Sequence, residues 1–257
     1  MLEARNIRVV FDSVVALNDV SVGFPSAAVH GVIGPNGSGK STLFNAITGF
    51  SAVAGGEVRH HDALLTGMPT HQRIRAGVGR TFQTPRFDPA ITVQHAVLCG
   101  FYPKRKSSVM SLALRTNAAA REEQAMRDAC ELVLRDFCLE EYRDRKVGEL
   151  PMGIVRIVEV ARAVANEPSF LLLDEPAAGL TTGEQAVLAT EIRRLARRGV
   201  GVVLVEHNFE LICDLVEHVT VLDRGEVLTR GTPAEIQRDD RFVRAYLGST
   251  YKRNRAT

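Results

Sequence analysis

The stretch Gly34-Pro35-Asn36-Gly37-Ser38-Gly39-Lys40-Ser41-Thr42 decides the fold of this chain. Its glycines let the backbone turn tightly and bring N–H groups against phosphate oxygens, Lys40 reaches the outer phosphates, and the Ser41 hydroxyl can bind Mg²⁺. The apolar run at 27–33 predicts a buried strand before this loop, and Lys40–Thr48 predicts a helix after it. A helix N-terminus adds partial positive charge where phosphate would bind. Strand, loop and helix together predict a nucleoside triphosphate site.

Composition narrows the class of protein. A length of 257 residues fits one large α/β domain or two small ones. The net charge of +2, from 32 basic and 30 acidic residues, is too balanced to indicate a nucleic-acid partner. The basic run at 252–255 is interpreted as a solvated tail, and the pair His60-His61 as surface turn residues. The scattered cysteines favour neither a zinc site nor disulfides and suit a reducing cytoplasm. We expect no signal peptide and no transmembrane segment.

The pattern along the chain predicts an α/β body with a helical insertion. Residues 2–29 alternate apolar runs with turn residues, which favours an antiparallel β layer. The apolar runs at 169–173 and 201–205 are typical of strands buried on both faces of a parallel sheet, and residues 219–228 predict a β-hairpin. Apolar residues at helical spacing between 102 and 145 predict a helical subdomain, although a plain surface helix pair fits that periodicity equally well.

Two adjacent carboxylates, Asp174 and Glu175, follow the apolar run at 170–173. One of them can hold Mg²⁺, directly or through water, while the other accepts a proton from an attacking water. Taken alone, Asp174 could cap the next helix and Glu175 could be a solvated charge. Their position downstream of a phosphate loop favours a role in phosphoryl transfer.

Further motifs follow in a fixed order. They are Gln83 within Arg80-Thr81-Phe82-Gln83, the run Leu150-Pro151-Met152-Gly153, the turn Ala178-Gly179-Leu180-Thr181, and His207 after the strand at 202–205. In this order they resemble the ATPase subunit of an ABC transporter, and the resemblance extends from Phe11 to about Gly248. It implies a P-loop NTPase fold of the α/β class. The implied single ABC ATPase domain spans 1–257, with a core at 1–85 and 165–250 and a helical subdomain at about 90–164.

The same resemblance implies ATP and Mg²⁺ as cofactors. The loop from Gly34 to Thr42 would hold the phosphates, and Phe11 would stack on the adenine ring, a contact that needs only an aromatic face and apolar area. From the residues alone, a buried position in the β layer fits Phe11 as well.

Roles in hydrolysis are implied for the remaining motifs. Glu175 would be the general base, and His207 would hold the γ-phosphate and orient the water. Gln83 would contact Mg²⁺ and the attacking water at the joint with the helical subdomain, while Ser41 and Asp174 would also contact the metal ion.

The signature run departs from the usual family pattern Leu-Ser-Gly-Gly-Gln. Here Leu150-Pro151-Met152-Gly153-Ile154 keeps only the leucine and the second glycine, and we expect Pro151 in the first turn of a helix. In the family this run completes the ATP site of the opposite subunit. The resemblance therefore implies a head-to-tail dimer with a second ATPase subunit, either a heterodimer or a homodimer.

Short strings point to one branch of the family. Four segments resemble those of importers of branched-chain amino acids and their urea or amide relatives. They are Arg80 to Arg86, the Leu-Pro-x-Gly signature, residues 175–180 and the ending Ala245-Tyr246-Leu247-Gly248. Implied partners are membrane permease subunits and, indirectly, a periplasmic or extracellular solute-binding protein, with the ATPase at the cytoplasmic face of the membrane.

Other functions stay open from sequence. They are a soluble ABC protein acting on ribosomes or DNA, which the single cassette and the lack of a basic face disfavour, a nucleotide-dependent regulatory module, and a small-molecule kinase.

Overall fold

The computed structural model describes residues 1–105, 107, 116–206 and 209–246 of the 257. His207 and the basic run at 252–255 lie outside these described residues. Strands within the described ranges form two sheets. In chain order they are β1 (Leu2–Phe11), β2 (Val14–Phe24), β3 (Val29–Ile33), β4 (Gly55–His60), β5 (Ala63–Leu64), β6 (Val78–Arg80), β7 (Phe170–Asp174), β8 (Gly201–Val205), β9 (His218–Asp223) and β10 (Glu226–Gly231).

The two sheets differ in strand direction. The smaller sheet has the order β2-β1-β4-β5, and its neighbouring strands are antiparallel. The larger sheet has the order β10-β9-β3-β8-β7-β6, in which β9, β3, β8, β7 and β6 run parallel and β10 closes an antiparallel hairpin with β9. The predicted β layer, parallel strands and hairpin are all confirmed.

The first helix lies between the sheets. Helix α1 (Lys40–Thr48) has the predicted bounds, and Gly49 ends it in the left-handed conformation with φ 82°. Its residues Leu43, Phe44 and Ile47 are fully buried in a core shared with both sheets. This packing fixes the helix N-terminus directly after the glycine-rich loop.

Strand β7 shows why the parallel strands have continuous apolar runs. Phe170 and Leu172 point into the core that contains α1, while Leu171 and Leu173 point into a second core on the opposite face. Side chains alternate along a strand, so a strand covered on both faces needs apolar residues at every position.

The helices after α1, with the exception of the first of them, supply residues to the core on that second face. In chain order the helices after α1 are α2 (Thr70–Arg75), α3 (Val93–Leu98), α4 (Asn117–Asp136), α5 (Met152–Ala165), α6 (Thr182–Arg197), α7 (Phe209–Leu215), α8 (Pro233–Arg238) and α9 (Asp240–Tyr246). Short 3₁₀ segments occur at Cys99–Lys104, Glu140–Tyr142 and Val147–Glu149. Helices α3, α4 and α5 lie between β6 and β7 in the chain. Since one apolar core joins them to the large sheet, a boundary for the helical subdomain at about 90–164 stays a prediction.

Two expectations need correction. His60 is not a surface turn residue, because it lies in β4 at 8% exposure, with its ring Nε2 3.1 Å from Ser169 Oγ. His61 is exposed. Pro151 precedes the first turn and takes the N-cap position of α5, with an extended ψ of 146°.

In the part of the chain that the structure describes, every helix is too short or too polar to cross a bilayer.

Candidate active site

The glycine-rich loop joins the end of β3 to the start of α1. Side chains at two of its glycine positions would clash with neighbouring atoms in this conformation. Gly39 has φ 105°, and a Cβ there would lie 2.7 Å from Leu17 Cδ2. A Cβ on Gly34 would lie 2.2 Å from the Leu222 carbonyl oxygen. The N-cap of α1 is Gly39 and makes no side-chain capping bond, so the N–H groups of the first turn face the loop. This arrangement presents backbone donors to an anion.

Lys40 points back into the loop. Its Nζ donates to the carbonyl oxygens of Gly34, at 2.8 Å, and Pro35, at 3.1 Å. Burial lowers the pKa of Lys40, and the nearby carboxylates of Glu175 and Asp174 oppose that shift. The ammonium group therefore lies at the loop with acidic residues close by.

A cavity of about 710 Å³ opens over this loop. Its volume suits a nucleotide-sized ligand. Its lining includes Val14, Val15, Ala16, Asn36, Gly37, Gly39, Lys40, Ser41, Thr42, Gln83, Glu175 and Arg224.

One wall of the cavity is apolar. Phe11 ends β1 and pairs with Val14 across the turn, and its side chain is 48% exposed, so Phe11 is not a core residue of the β layer. The lining itself contains Val14 and Val15, which are 63% and 41% exposed. Sequence reasoning missed both valines. The sequence does contain a sign of them, because two adjacent apolar residues at a hairpin turn do not fit the alternating pattern of a strand with one buried face.

Asp174 lies at the buried end of β7. Its Oδ2 accepts from Arg80 Nη2 at 3.2 Å, with side-chain exposures of 3% and 7%. Burial raises the pKa of Asp174, and the Arg80 guanidinium opposes that rise. Among the described residues, Asp174 Oδ1 and Ser38 Oγ are buried without a hydrogen-bond partner. A free carboxylate oxygen and hydroxyl at a phosphate loop fit a hydrated Mg²⁺ bound with a nucleotide.

Gln83 and Glu175 meet at the cavity. Gln83 Nε2 donates to Glu175 Oε2 at 3.1 Å. The contact follows from topology, since β6 and β7 are parallel neighbours with Arg80 opposite Leu172. Glu175 has φ 50°, a left-handed conformation that turns its side chain out of the strand direction. Two residues that are 92 positions apart are thereby placed beside the same loop.

Glu206 is a further residue that the sequence reasoning missed. It is 4% exposed, and its Oε1 accepts the Ala177 N–H at 2.8 Å. This bond fastens the segment after Glu175 to the end of β8. The next residue, His207, lies outside the described residues, so its predicted contact with the γ-phosphate stays a prediction.

The signature run lies away from this cavity. Met152 at the start of α5 is 59% exposed, and Leu150, Pro151, Met152 and Gly153 do not belong to the described cavity lining. The body of α5 is apolar, as predicted, with Ile154, Ile157, Val158, Ala161 and Ala165 buried. The N-terminus of α5 is thus presented on the surface of the molecule.

Comparison with known proteins agrees with this geometry. Residues 17–178 match the ABC transporter family. The chain is 34% identical to the high-affinity branched-chain amino acid transport ATP-binding protein LivG of Salmonella typhimurium and 33% identical to BraF of Pseudomonas aeruginosa. Each match covers 96% of this chain and 98% of the relative. The solved ADP conformation of an ATP-binding cassette of an ABC transporter superimposes with a TM-score of 0.82 at 30% identity, covering 97% of this chain and 99% of that one.

Three findings support one family assignment. They are the glycine-rich phosphate loop, the paired carboxylates at the end of β7 and the family match over most of the molecule. The chain belongs to the ABC transporter family and is one of its ATPase cassettes.

Proposed function

We propose that this chain is the energy-coupling subunit of an importer of branched-chain amino acids, with urea, amides or a related small solute as the alternative cargo. The observation that carries the proposal is the Gln83 to Glu175 hydrogen bond of 3.1 Å beside Lys40 and the phosphate loop. The cargo is supported by the relatives, which are named as branched-chain amino acid transport proteins.

Hydrolysis is assigned to the phosphate loop, to the acidic and amide side chains beside it and to His207. The loop N–H groups and Lys40 bind the phosphates, while Ser41 and Asp174 would hold Mg²⁺, which would offset charge on the phosphate oxygens. Glu175 is the general base toward the attacking water. Gln83 would contact that water and the metal ion, and His207 would hold the γ-phosphate and orient the water.

The active unit is a head-to-tail dimer. The N-terminus of α5, with Met152 exposed, completes the ATP site of a second ATPase subunit, and that subunit returns its own signature run to this site. Because Pro151 and Ile154 replace the usual serine and glutamine, the partner's site depends on backbone N–H groups at α5. Permease subunits bind the dimer at the cytoplasmic face of the membrane and receive solute from a binding protein on the other side.

The central test is Glu175→Gln. A positioned general base contributes roughly 10²–10⁴ in rate, so this variant should lose nearly all ATP turnover while still binding MgATP. The matched control is Glu217→Gln. Glu217 is exposed, and its N–H donates to the carbonyl oxygen of Val29 at the start of β3, whereas the phosphate loop follows the end of that strand. Turnover by Glu175→Gln at the parent's rate would overturn the assignment.

The transport part of the proposal needs a separate experiment. Affinity-tagged chain purified from membranes should recover two permease subunits and a second ATPase. Recovery of ribosomes or nucleic acid in their place would contradict a role in transport.

A further inference from the structure

Helix α5 carries three charged residues on one face of an otherwise apolar body. Arg156, Glu159 and Arg162 follow one another at intervals of three, so they lie along one side of the helix. Their neighbours Ile157, Val158, Val160 and Ala161 are buried in the core. Charged residues packed at such positions are costly unless each has a specific partner.

Arg156 has such a partner in the segment of the proposed base. Its Nη1 donates to the backbone carbonyl oxygen of Glu175 at 2.9 Å, and the side chain is half-buried. Glu175 holds a left-handed φ of 50°, a conformation that a non-glycine residue keeps only when its surroundings fix it. The bond from Arg156 is one of the contacts that fix it.

Glu159 holds the other catalytic segment. At 2% exposure, its Oε1 accepts the N–H of Phe82, the residue before Gln83, at 3.0 Å. Arg162 Nη2 lies 3.7 Å from the same oxygen, and its guanidinium stacks 4.4 Å from the ring centroid of Phe87. One side of α5 thus contacts the segment that carries Gln83 at two residues, Phe82 and Phe87.

These contacts have a geometric consequence. Arg156 and Glu159 lie within two turns of the N-terminus of α5, about 10 Å along the axis. A rigid helix that shifts at its N-terminus moves both bonds together. A displacement of about 1 Å at a reacting group can cost about 10²-fold in rate.

We propose that Arg156 and Glu159 are positioning residues: they hold the backbone at Glu175 and at Phe82, the residue before Gln83, in the geometry needed for hydrolysis. This inference rests on the proposed function, since it assigns support for the same site. It joins both catalytic segments to the helix whose first turn is offered to the second ATPase. Neither residue belongs to the described lining of the cavity, so their loss should change the rate of the chemical step and leave nucleotide binding nearly intact.

The test compares Arg156→Met and Glu159→Leu with the conservative variants Arg156→Lys and Glu159→Gln in the membrane complex. Arg156→Met keeps the apolar stem and removes the donor, while Glu159→Gln keeps an oxygen that can accept the Phe82 N–H. We expect kcat for ATP to fall roughly 10- to 100-fold in Arg156→Met and Glu159→Leu, with KM and the equilibrium Kd for MgATP within about 2-fold of the parent. Glu159→Gln should stay within about 3-fold of the parent kcat, and Arg156→Lys should recover part of the loss.

Arg197→Met is the matched control, because Arg197 is an exposed arginine in the last turn of α6. An unchanged kcat in folded Arg156→Met would overturn the inference, as would equal losses in kcat and MgATP affinity. If Glu159→Leu fails to fold, Arg156→Met still decides the outcome. Glu175→Gln, measured in parallel, separates the two proposals: full turnover in that variant refutes the proposed function, whereas no turnover there with full turnover in Arg156→Met refutes only this inference.

Discussion

Arg80 and Asp174 form a buried ion pair across the parallel strands β6 and β7, with Nη2 3.2 Å from Oδ2. Arg80 Nη1 also donates to Asn45 Oδ1 at 2.6 Å and to Thr48 Oγ1 at 3.1 Å, which ties the pair to α1. The guanidinium lies between 5.1 and 5.8 Å from the ring centroids of Phe44, Phe50 and Phe82. One arginine therefore joins the end of β7, helix α1 and the segment that carries Gln83.

Removing one partner of that pair should destabilise the protein. Arg80→Met leaves the buried Asp174 carboxylate without its hydrogen-bonded guanidinium partner, which costs about 3–5 kcal/mol in the free energy of unfolding. The same substitution at Arg5, which is 51% exposed in its pair with Glu3, should cost under about 1 kcal/mol. Urea unfolding followed by circular dichroism measures both. Equal decreases in the free energy of unfolding of the two variants would show that the buried ion pair stabilises the protein no more than the exposed pair does.

Lys40→Ala should weaken nucleotide binding. Loss of a charged donor to phosphate removes about 2 kcal/mol, or roughly 30-fold in the Kd for MgATP. Equilibrium titration with MgATP measures it, and Lys104→Ala, which removes a lysine paired with Glu167 on the surface, serves as the control. A Kd for Lys40→Ala that matches that of Lys104→Ala would remove Lys40 from the phosphate site.

His30 should make the protein lose stability in mild acid. It lies in β3 at 8% exposure with Nε2 2.9 Å from Thr220 Oγ1, and burial, followed by the charges of His218 and Arg230, lowers its pKa from 6.5 to about 4. Because the folded-state pKa lies below the unfolded value, the stabilising contribution is complete above pH 6.5 and is lost as the pH falls toward 4. The free energy of unfolding should drop by up to about 1.4 kcal/mol per pH unit there, about 3 kcal/mol in all.

The comparison variant is His30→Gln, which keeps a group able to bond Thr220 and cannot titrate. Urea unfolding of both proteins between pH 7 and pH 4 should give curves that diverge, with the parent losing more stability. Parallel curves would mean that His30 does not bind its proton on unfolding.

The sequence predicts best those features that are contiguous. The loop and α1 lie within Gly34 to Thr48, so local chemistry and periodicity suffice to place them, and the observed helix has the predicted bounds. Strand β4 was not predicted, because Gly55 and Gly56 weaken its pattern. Its pairing partner, β1, also lies far away in the chain, with Leu2 opposite His60 and Arg8 opposite Gly55. The burial of His60 likewise depends on Ser169, 109 positions along the chain.

The same limit applies to the site. Gln83, Asp174 and Glu175 were placed by resemblance to a family, whereas the contacts among them require β6 and β7 to be neighbours in the sheet. The sequence around Arg80 does not indicate an ion pair with Asp174, because the guanidinium and the carboxylate are brought together only by the pairing of β6 and β7. Arg156 and Glu159 look like ordinary charges in a helix until α5 packs against both catalytic segments.

The position of the adenine ring can be tested with two exposed phenylalanines. Phe11 is 48% exposed near the apolar wall of the cavity, and Phe50 is 53% exposed after the other end of α1. If Phe11 stacks on the base, Phe11→Ala should weaken MgATP binding about 10-fold, since loss of an aromatic contact costs about 0.5–1.5 kcal/mol beyond the area it buries. Stacking does not read the edge of the base, so the affinity for MgGTP should fall by the same factor. Phe50→Ala should leave both affinities unchanged. Normal binding by Phe11→Ala together with weak binding by Val15→Ala would place the adenine on the hairpin valines. Val14 and Val15 line the cavity, whereas Phe11 pairs with Val14 and is not part of the described lining.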